Sequence, residues 1–291
     1  MAAVNQLLNQ ISEQLKTYCS LLAANQEAWW LLEKLTKKTK AQLLLASDIE
    51  LTNAQSSQLQ HWLNERVRDK KPLAYILGSV PFCGLDIHVQ PPILIPRPET
   101  EEWVTWVIQH LDPVKHSNLS IVDLCTGSGC IALALARALP KAHIVGIDIN
   151  PDALVLAEVN KKHNRINNVS FIQSDLFVAI QETQKFDLIV SNPPYITDAE
   201  YVNLPDDVRL WEDKRALVAD DDGLEFYKRI AIESKKRLIY DGLLSSMFAR
   251  VVVELGQHPD AVVKVFQAAG FAEVRLYNDM QQVPRWLGAY V

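Results

Sequence analysis

Cysteine and metal-binding patterns are scarce in this chain of 291 residues. It has four cysteines, and none of them forms a C-x-x-C pair. Its seven histidines include no H-E-x-x-H spacing of the kind that holds zinc in metalloproteases. We therefore predict reduced thiols in a cytosolic protein and no metal site.

Long apolar runs and an excess of positive charge are also missing. No apolar run approaches the ~20 residues that a membrane-spanning helix needs, and the N-terminus lacks the basic start and apolar stretch of a secretion signal. The formal net charge is −6 and the pI is about 5.7, which argues against a surface built to neutralise phosphates. We expect a cytoplasmic protein that contacts neither membrane nor nucleic acid directly, and a monomer as the working expectation.

The first part of the chain has a helical pattern. Apolar residues recur at helical spacing from residue 3 to about residue 70, with tryptophans among them. Stripes of this spacing usually pack inward, so we predict a helical bundle over residues 1–71. From Leu73 the period changes to two, which predicts a β-hairpin linker over residues 72–92 that turns near Cys83 and Gly84.

From Ser120 onward, strand, loop and helix patterns alternate. A strand begins at Ile121 and a helix at Ile131, and the alternation continues through residues 143–191. This predicts an α/β fold with a doubly wound, mainly parallel sheet within residues 93–291. Ligands of such sheets bind beyond the carboxyl ends of the strands, so the residues that follow the strands are candidates for a site.

The loop after the first of these strands, Cys125-Thr126-Gly127-Ser128-Gly129, is built of small residues. Gly127 and Gly129 allow close approach of the backbone to a ligand, and Asp148 at the next strand end can accept from ribose hydroxyls. Nicotinamide and S-adenosylmethionine sites share these features. The G-x-G-x-x-G pyrophosphate fingerprint is not matched, so a cofactor without a pyrophosphate fits better.

Asp175 ends the third predicted strand and precedes Leu176. Its carboxylate could accept from an adenine amino group, or it could cap a helix that starts at Leu176. The sequence leaves both interpretations open.

The stretch Asn192-Pro193-Pro194-Tyr195 follows the apolar strand pattern of residues 186–191. Each proline fixes φ and lacks an N–H, so the chain leaves the strand as a stiff, extended loop. The Asn192 amide and backbone carbonyls can then accept hydrogen bonds from a flat NH2 group beside the Tyr195 ring. A rigid turn without chemistry is the alternative, but the position at a strand end favours a site.

We call the loop of residues 125–129 the donor loop and the tetrapeptide of residues 192–195 the clamp. Together they predict methyl transfer from a sulfonium to the nitrogen of an NH2 group. A carboxamide nitrogen is a poor nucleophile because its lone pair is delocalised. Two acceptors would orient the nitrogen and favour its pyramidal form, and such positioning can supply ~7 kcal/mol or more. The reaction needs neither a catalytic triad nor a metal.

Several motifs resemble class I S-adenosylmethionine-dependent methyltransferases that modify amino groups, and among them the peptide-chain release factor glutamine N5-methyltransferases. These motifs are Asp123-Leu-Cys-Thr-Gly-Ser-Gly129, Ile93-Leu-Ile-Pro-Arg-Pro-Glu-Thr-Glu101, Ser191-Asn-Pro-Pro-Tyr195 and Asp222-Gly-Leu-Glu-Phe-Tyr227. The resemblance covers nearly the whole chain, including the helical module.

The resemblance implies a Rossmann-like methyltransferase fold, with S-adenosyl-L-methionine as methyl donor and S-adenosyl-L-homocysteine as product. It implies that the substrate is the glutamine of the Gly-Gly-Gln motif in class I release factors, which act in translation termination. The expected catalytic residues are Asn192, Pro193 and Tyr195. The expected cofactor-binding residues are Cys125, Thr126, Gly127, Ser128, Gly129, Asp148, Asp175, Leu176 and Asn192. The expected substrate-binding residues are Asn192, Pro193, Pro194, Tyr195, Arg97 and Glu99. We further expect residues 1–71 to recognise the release factor.

The chain departs from the family pattern in places. Cys125 stands where a glycine is usual, and Leu176 follows Asp175 where the family often has tryptophan. Residues 245–250 look inserted. On the residues alone, Arg97 and Glu99 also fit a plain surface loop that starts a helix.

Three other functions stay open. A related enzyme class methylates a glutamine in a ribosomal protein, although Ile95-Pro-Arg-Pro-Glu-Thr100 favours the release-factor branch. The same clamp would suit an adenine-N6 nucleic-acid methyltransferase, against which the acidic balance argues. A non-catalytic binding module with this fold is the third possibility.

Overall fold

The computed structural model describes residues 2–46, 49–111, 118–240, 244 and 248–291. Of the inserted-looking run at 245–250, residues 245–247 therefore lie outside the described residues. Contacts divide the chain into two compact units, Met1–Ser79 with Pro205–Trp211, and Val80–Leu204 with Glu212–Val291. None of the described helices is both long and apolar enough to cross a bilayer.

The first unit contains the N-terminal helices, and the predicted helical region is confirmed. These helices are α1 (Ala2–Leu15), α2 (Leu21–Thr36), α3 (Lys40–Leu45), α4 (Asn53–Val67) and α5 (Leu73–Leu77). Side chains of Ser20, Thr39 and Thr52 accept hydrogen bonds from the first turns of α2, α3 and α4, which fixes where these helices begin. Their apolar faces form one buried cluster, as the helical periodicity predicted.

The segment Pro205–Trp211, distant in sequence, also packs within this helical unit. Arg66 forms a buried ion pair with Glu27, with Nη2 2.7 Å from Oε1, and its Nη1 lies 3.4 Å from Asp207 Oδ2. Trp211 Nε1 donates to the carbonyl oxygen of Asp69 over 2.9 Å. Charge and ring contacts therefore hold the segment on the end of α4.

The period-two pattern that began at Leu73 predicted a strand, and this is wrong for α5. Pro72 precedes the helix, and Gly78 ends it in the left-handed conformation with φ of 81°. A five-residue apolar run cannot distinguish a strand from one turn of helix, so proline and glycine decide the outcome.

The remaining elements follow in chain order. They are β1 (Ser79–Phe82), β2 (Leu85–His88), α6 (Pro98–His110), β3 (Ser120–Leu124), α7 (Cys130–Ala138), β4 (His143–Asp148), α8 (Pro151–His163), β5 (Val169–Gln173), β6 (Leu188–Ser191), α9 (Asp198–Tyr201), α10 (Asp206–Arg209), a 3₁₀ turn (Lys214–Ala216), α11 (Asp220–Gly223), α12 (Glu225–Arg237), β7 (Val251–Glu254), α13 (Pro259–Ala268), β8 (Glu273–Asn278) and β9 (Pro284–Tyr290). Strands β1 and β2 pair with each other, as the hairpin prediction required.

The other seven strands form one sheet in the order β5-β4-β3-β6-β7-β9-β8. The first five are parallel, whereas β9 runs antiparallel to β7 and β8. Every residue of β6 and β7 is buried, which accounts for their continuous apolar sequences. The predicted doubly wound, mainly parallel sheet is confirmed.

The winding direction reverses between β3 and β6, which are neighbours in the sheet. Leu124 at the end of β3 pairs in register with Ser191 at the end of β6. The loop that starts at Cys125 and the tetrapeptide that starts at Asn192 therefore leave adjacent strands at the same edge, where ligands of such sheets bind.

Candidate active site

A cavity of about 410 Å³ lies at this edge of the sheet, within the second unit. Nine of the residues expected from sequence line it: Cys125, Thr126, Gly127, Ser128, Asp148, Asp175, Leu176, Asn192 and Pro194. Gly129, Pro193, Tyr195, Arg97 and Glu99 are not among the lining residues, although Pro96 and Thr100 next to them are. The structure thus gathers the donor loop and the asparagine around one space.

Backbone hydrogen bonds hold the donor loop against the end of β4. Asp148 Oδ2 accepts from Gly127 N over 2.8 Å, and Oδ1 accepts from Asn150 N over 2.9 Å. These bonds lower the pKa of Asp148, but burial is the larger effect and raises it above the ordinary value. Gly129 begins α7 at φ of 81°, and a Cβ there would lie 3.0 Å from the Ala157 Cβ, so glycine allows the helix to pack closely.

Asp123 is a second carboxylate under the loop, and it is fully buried. Its Oδ2 accepts from Thr126 Oγ1 over 2.6 Å and from Ala132 N over 3.1 Å, while Oδ1 has no hydrogen-bond partner among the described residues. Burial raises the pKa of Asp123 to about 7, against the lowering effect of these two bonds.

Cys125 and Leu176, which both depart from the family pattern, have a left-handed backbone. Cys125 has φ of 60° and Leu176 has φ of 47°. Glycine adopts this region without strain, whereas a residue with a Cβ does so at an energetic cost. Burial also raises the pKa of the Cys125 thiol well above its ordinary value, so the thiol is protonated at neutral pH.

Asp175 forms an ion pair across the cavity wall. Arg229 Nη2, from α12, lies 2.6 Å from Asp175 Oδ1, and Phe226 lies beneath the Arg229 guanidinium at 5.7 Å from the ring centroid. Residues 175–180 form turns rather than a helix, so the interpretation of Asp175 as a helix cap is wrong. Asp175 and Phe226 both line the cavity, and sequence reasoning did not single out Phe226.

Asn192 is tied to a buried hydrogen-bond chain. Its Nδ2 donates to Thr100 Oγ1 over 3.2 Å, and Thr100 Oγ1 donates to Glu254 Oε2 over 2.6 Å. The same carboxylate oxygen accepts from Trp103 Nε1 over 2.8 Å. Burial raises the pKa of Glu254 above its ordinary value, and the bonds from Thr100 and Trp103 oppose this.

The Tyr195 ring lies directly against the backbone of Gly256. A Cβ on Gly256 would lie only 2.6 Å from Tyr195 Cδ2, so no larger residue fits without moving the ring. The Tyr195 hydroxyl contacts Glu254 Oε1 at 3.5 Å. Burial, followed by the charge of Glu254, raises the pKa of Tyr195 and keeps the phenol neutral.

Arg97 and Glu99 lie where α6 begins. Arg97 Nη2 is 2.5 Å from Glu212 Oε2, and the Glu212 side chain is buried. Glu99 is half-buried. After burial, which is the larger cause, its negative charge also raises the pKa of Tyr195 and the pKa of Glu254. Arg97 is therefore fixed by an ion pair and is not a freely moving surface side chain.

The charged residues of the cavity wall are mostly acidic. Five carboxylates line it, against two guanidinium groups, and these residues are Asp148, Asp175, Asp213, Asp220, Glu225, Arg215 and Arg229. Such a wall suits a ligand that carries positive charge and disfavours a pyrophosphate. It agrees with the absence of the pyrophosphate fingerprint from the sequence.

One group of metal-type ligands occurs among the described residues, away from the cavity. Ligand atoms of Asp86, His88 and His163 lie within 4.8 Å of one another, and Asp86 Oδ2 lies 3.0 Å from His163 Nε2. None of the three lines the cavity, so the arrangement of the candidate active site does not involve them.

Sequence reasoning missed five residues of this site: Thr100, Trp103, Glu254, Phe226 and Arg229. Glu254 had a usable signal, because it ends a fully apolar strand pattern and strand ends carry sites in parallel sheets. Thr100 and Trp103 had none, since a helix start and an apolar helix face are ordinary features. The two residues on α12 become neighbours of Asp175 only in the folded chain.

Two family models match the sequence. One, described as "Methyltransferase domain", matches residues 115–217, and the other, described as "PrmC N-terminal domain", matches residues 6–78. Among solved structures, the hMettl16 catalytic domain in complex with MAT2A 3'UTR hairpin 6 has a TM-score of 0.54 at 18% identity, covering 84% of this chain and 83% of that one. A methyltransferase from Pyrococcus furiosus has a TM-score of 0.51 at 14% identity, covering 82% and 98%. These structures confirm the methyltransferase fold.

Several curated relatives are named release factor glutamine methyltransferase. The Escherichia coli (strain K12) protein is 38% identical over 269 residues, covering 91% of this chain and 92% of its own length. The Coxiella burnetii protein is 34% identical over 290 residues and covers 99% of each chain. The Clostridium acetobutylicum protein is 33% identical over 279 residues, covering 93% and 94%.

The predicted class, an S-adenosylmethionine-dependent methyltransferase, is confirmed by these matches together. The chain belongs to the release factor glutamine methyltransferase family.

Proposed function

We propose that this protein transfers the methyl group of S-adenosyl-L-methionine to the side-chain N5 of the glutamine in the Gly-Gly-Gln motif of class I peptide-chain release factors. The observation that carries the proposal is the register of β3 and β6, which puts the donor loop and Asn192 on one cavity. The names of the relatives support the substrate.

The cavity wall fits the methyl donor. Asp148 would accept from the ribose hydroxyls, and Asp175 with Leu176 would meet the adenine. The loop from Cys125 to Ser128 would lie along the amino-acid part. When bound, S-adenosylmethionine supplies an electrophilic methyl group on a sulfonium, and the acidic wall favours that positive charge.

The clamp residues would bind and orient the carboxamide. Asn192 Oδ1 and the backbone carbonyl of Pro193 would each accept from one N–H, which turns the nitrogen lone pair toward the methyl group. Pro194 keeps the loop stiff, and the Tyr195 ring would stack on the flat amide. We place Arg97 and Glu99 at the substrate side of the same site.

The proposed methyl transfer needs no side-chain base to accept a proton. The C–S bond of the sulfonium breaks as the new N–C bond forms, giving S-adenosyl-L-homocysteine and a positively charged methylated amide. That amide is strongly acidic and loses one N–H proton to water. The chain's own contribution is the positioning of the two reacting atoms.

We place the recognition of the release factor on the helical domain at residues 1–71, with residues 72–92 as linker and residues 93–291 as methyltransferase domain. A monomer acting in the cytoplasm, without direct contact to nucleic acid, is part of the same proposal. The acidic composition supports the absence of direct contact to nucleic acid.

The proposal is tested by methylation with labelled S-adenosylmethionine. The purified protein is incubated separately with an intact release factor, with ribosomal protein and with DNA, and labelled peptides are located by mass spectrometry. We expect label on the Gly-Gly-Gln glutamine. Label only on ribosomal protein or on adenine would assign the enzyme to a rival class, and failure to bind S-adenosylmethionine would indicate a non-catalytic module.

A further inference from the structure

The hydrogen-bond chain behind Asn192 has a fixed direction. Trp103 Nε1 can only donate, and it donates to Glu254 Oε2. Thr100 Oγ1 is the donor in the 2.6 Å contact with the same oxygen, and this contact uses the single hydroxyl proton of Thr100. All three residues are buried, so water does not compete for these bonds.

With its proton engaged, the Thr100 hydroxyl oxygen can only accept from Asn192. The 3.2 Å contact therefore takes a hydrogen atom from Asn192 Nδ2. The amide oxygen Oδ1 is on the opposite branch of the side chain and is turned away from Thr100. Because Asn192 lines the cavity, Oδ1 is the amide atom that a ligand NH2 can meet.

We propose that Thr100 and Glu254 are positioning residues that hold the Asn192 amide with its oxygen, and not its NH2, toward the substrate. The inference rests on the proposed function, because it concerns a substrate that donates through an NH2 group. A carboxamide NH2 is bound by an oxygen and repelled by a second NH2. The fixed amide therefore selects glutamine over glutamate, whose carboxylate can only accept.

The test removes the hydroxyl without changing the shape of the side chain. In Thr100→Val, Asn192 loses its partner and its amide can rotate, so we expect kcat to fall about tenfold or more, as for the loss of one oriented hydrogen bond. Thr100→Ser keeps the hydroxyl and should restore kcat. Thr105→Val is the matched control on the same helix, because Thr105 contacts Cys83 Sγ at 3.6 Å and does not line the cavity.

Two variants of Glu254 test the other end of the chain. Glu254→Gln can present its amide oxygen to Trp103 and Thr100, so the direction of the chain is kept and kcat should fall much less than in a variant that removes the acceptor. Glu254→Leu removes the acceptor and should behave like Thr100→Val.

A binding measurement separates orientation from simple packing. Affinity is measured, with S-adenosylhomocysteine present, for a release factor carrying glutamine or glutamate in the Gly-Gly-Gln motif. Thr100→Val should lower the preference for glutamine about tenfold, because a rotated amide donates to the carboxylate. A purely structural defect would weaken both forms equally and would overturn the inference.

The failures of the two proposals are distinguishable. An unmodified protein that methylates no release factor contradicts the proposed function. An active unmodified protein whose Thr100→Val variant keeps both kcat and the preference for glutamine contradicts the positioning role alone.

Discussion

Two polar residues at strand ends, Asn192 and Asp123, differ in what burial does to them. Asn192 is half-buried and lines the cavity, so its amide is available to a ligand. Asp123 is fully enclosed beneath the donor loop, so its charge meets no water. We therefore assign Asn192 a proposed role in binding, whereas Asp123 is expected to make the stability of the fold depend on pH.

For Asn192, we expect Asn192→Ala to fold normally and to lower kcat at least ~100-fold, because positioning is the main catalytic device. Turnover on a release factor and the melting temperature are the two measurements. Near-normal turnover would remove Asn192 from its role.

For Asp123, the pKa of the folded protein is about 7 against an ordinary 3.8. The raised pKa means that the folded state binds the proton more tightly. Its contribution to stability is therefore full below pH 3.8 and is lost as the pH rises through about 7. We expect Asp123→Asn to become more stable relative to the unmodified protein between pH 5 and pH 8, by up to about 3 kcal/mol.

Urea unfolding at both pH values measures this difference. The new amide oxygen can still accept from Thr126 and Ala132, so the loop keeps its hydrogen bonds. A stability difference between the two proteins that is the same at pH 5 and pH 8 would contradict the assignment.

Among the secondary-structure elements, the alternation of strands and helices was predictable because buried parallel strands are continuous apolar runs. The edge of the sheet that holds the site followed from the position of the loops after β3, β4 and β6. The short helix α5 was not predictable, since five apolar residues carry no clear period. The pairing of Asp175 with Arg229 was not predictable either, because it depends on how α12 packs.

The contact between Tyr195 and Gly256, which lies two residues after the end of β7, gives a prediction about the packing of these elements. Gly256→Ala adds a methyl group 2.6 Å from Tyr195 Cδ2, so the ring must move. We expect kcat/KM for the release factor to fall about tenfold, as for a small misplacement of a positioning group. Isothermal titration should find the affinity for S-adenosylmethionine nearly unchanged.

A double substitution is the control for this mechanism. Without the ring, the added methyl group has room, so Gly256→Ala combined with Tyr195→Ala should be no worse than Tyr195→Ala alone. Additive losses would mean that Gly256 acts through something other than Tyr195.

At the scale of the whole molecule, the two units have different proposed roles, methyl transfer for one and recognition of the release factor for the other. The sheet unit contains every residue that lines the cavity. The described residues of the helical unit contribute none of them, which leaves recognition of the protein substrate as its proposed role.

Deletion of residues 1–71 tests this division of roles. We expect release factor binding to be lost while S-adenosylmethionine binding is retained, because the cavity wall lies entirely in the other unit. Surface plasmon resonance for the release factor and calorimetry for the methyl donor measure the two affinities. Release factor binding that survives the deletion would overturn the assignment.

The discontinuous helical unit has a consequence for synthesis of the chain. Its Pro205–Trp211 segment is translated only after residues 80–204 have been made. At roughly 5–20 residues per second, the ribosome needs on the order of 6–25 s to add those residues. During that interval, Arg66 lacks its partner Asp207, and the carbonyl oxygen of Asp69 lacks its donor Trp211. The N-terminal helices are therefore the first to be made, yet their unit is completed only late in translation.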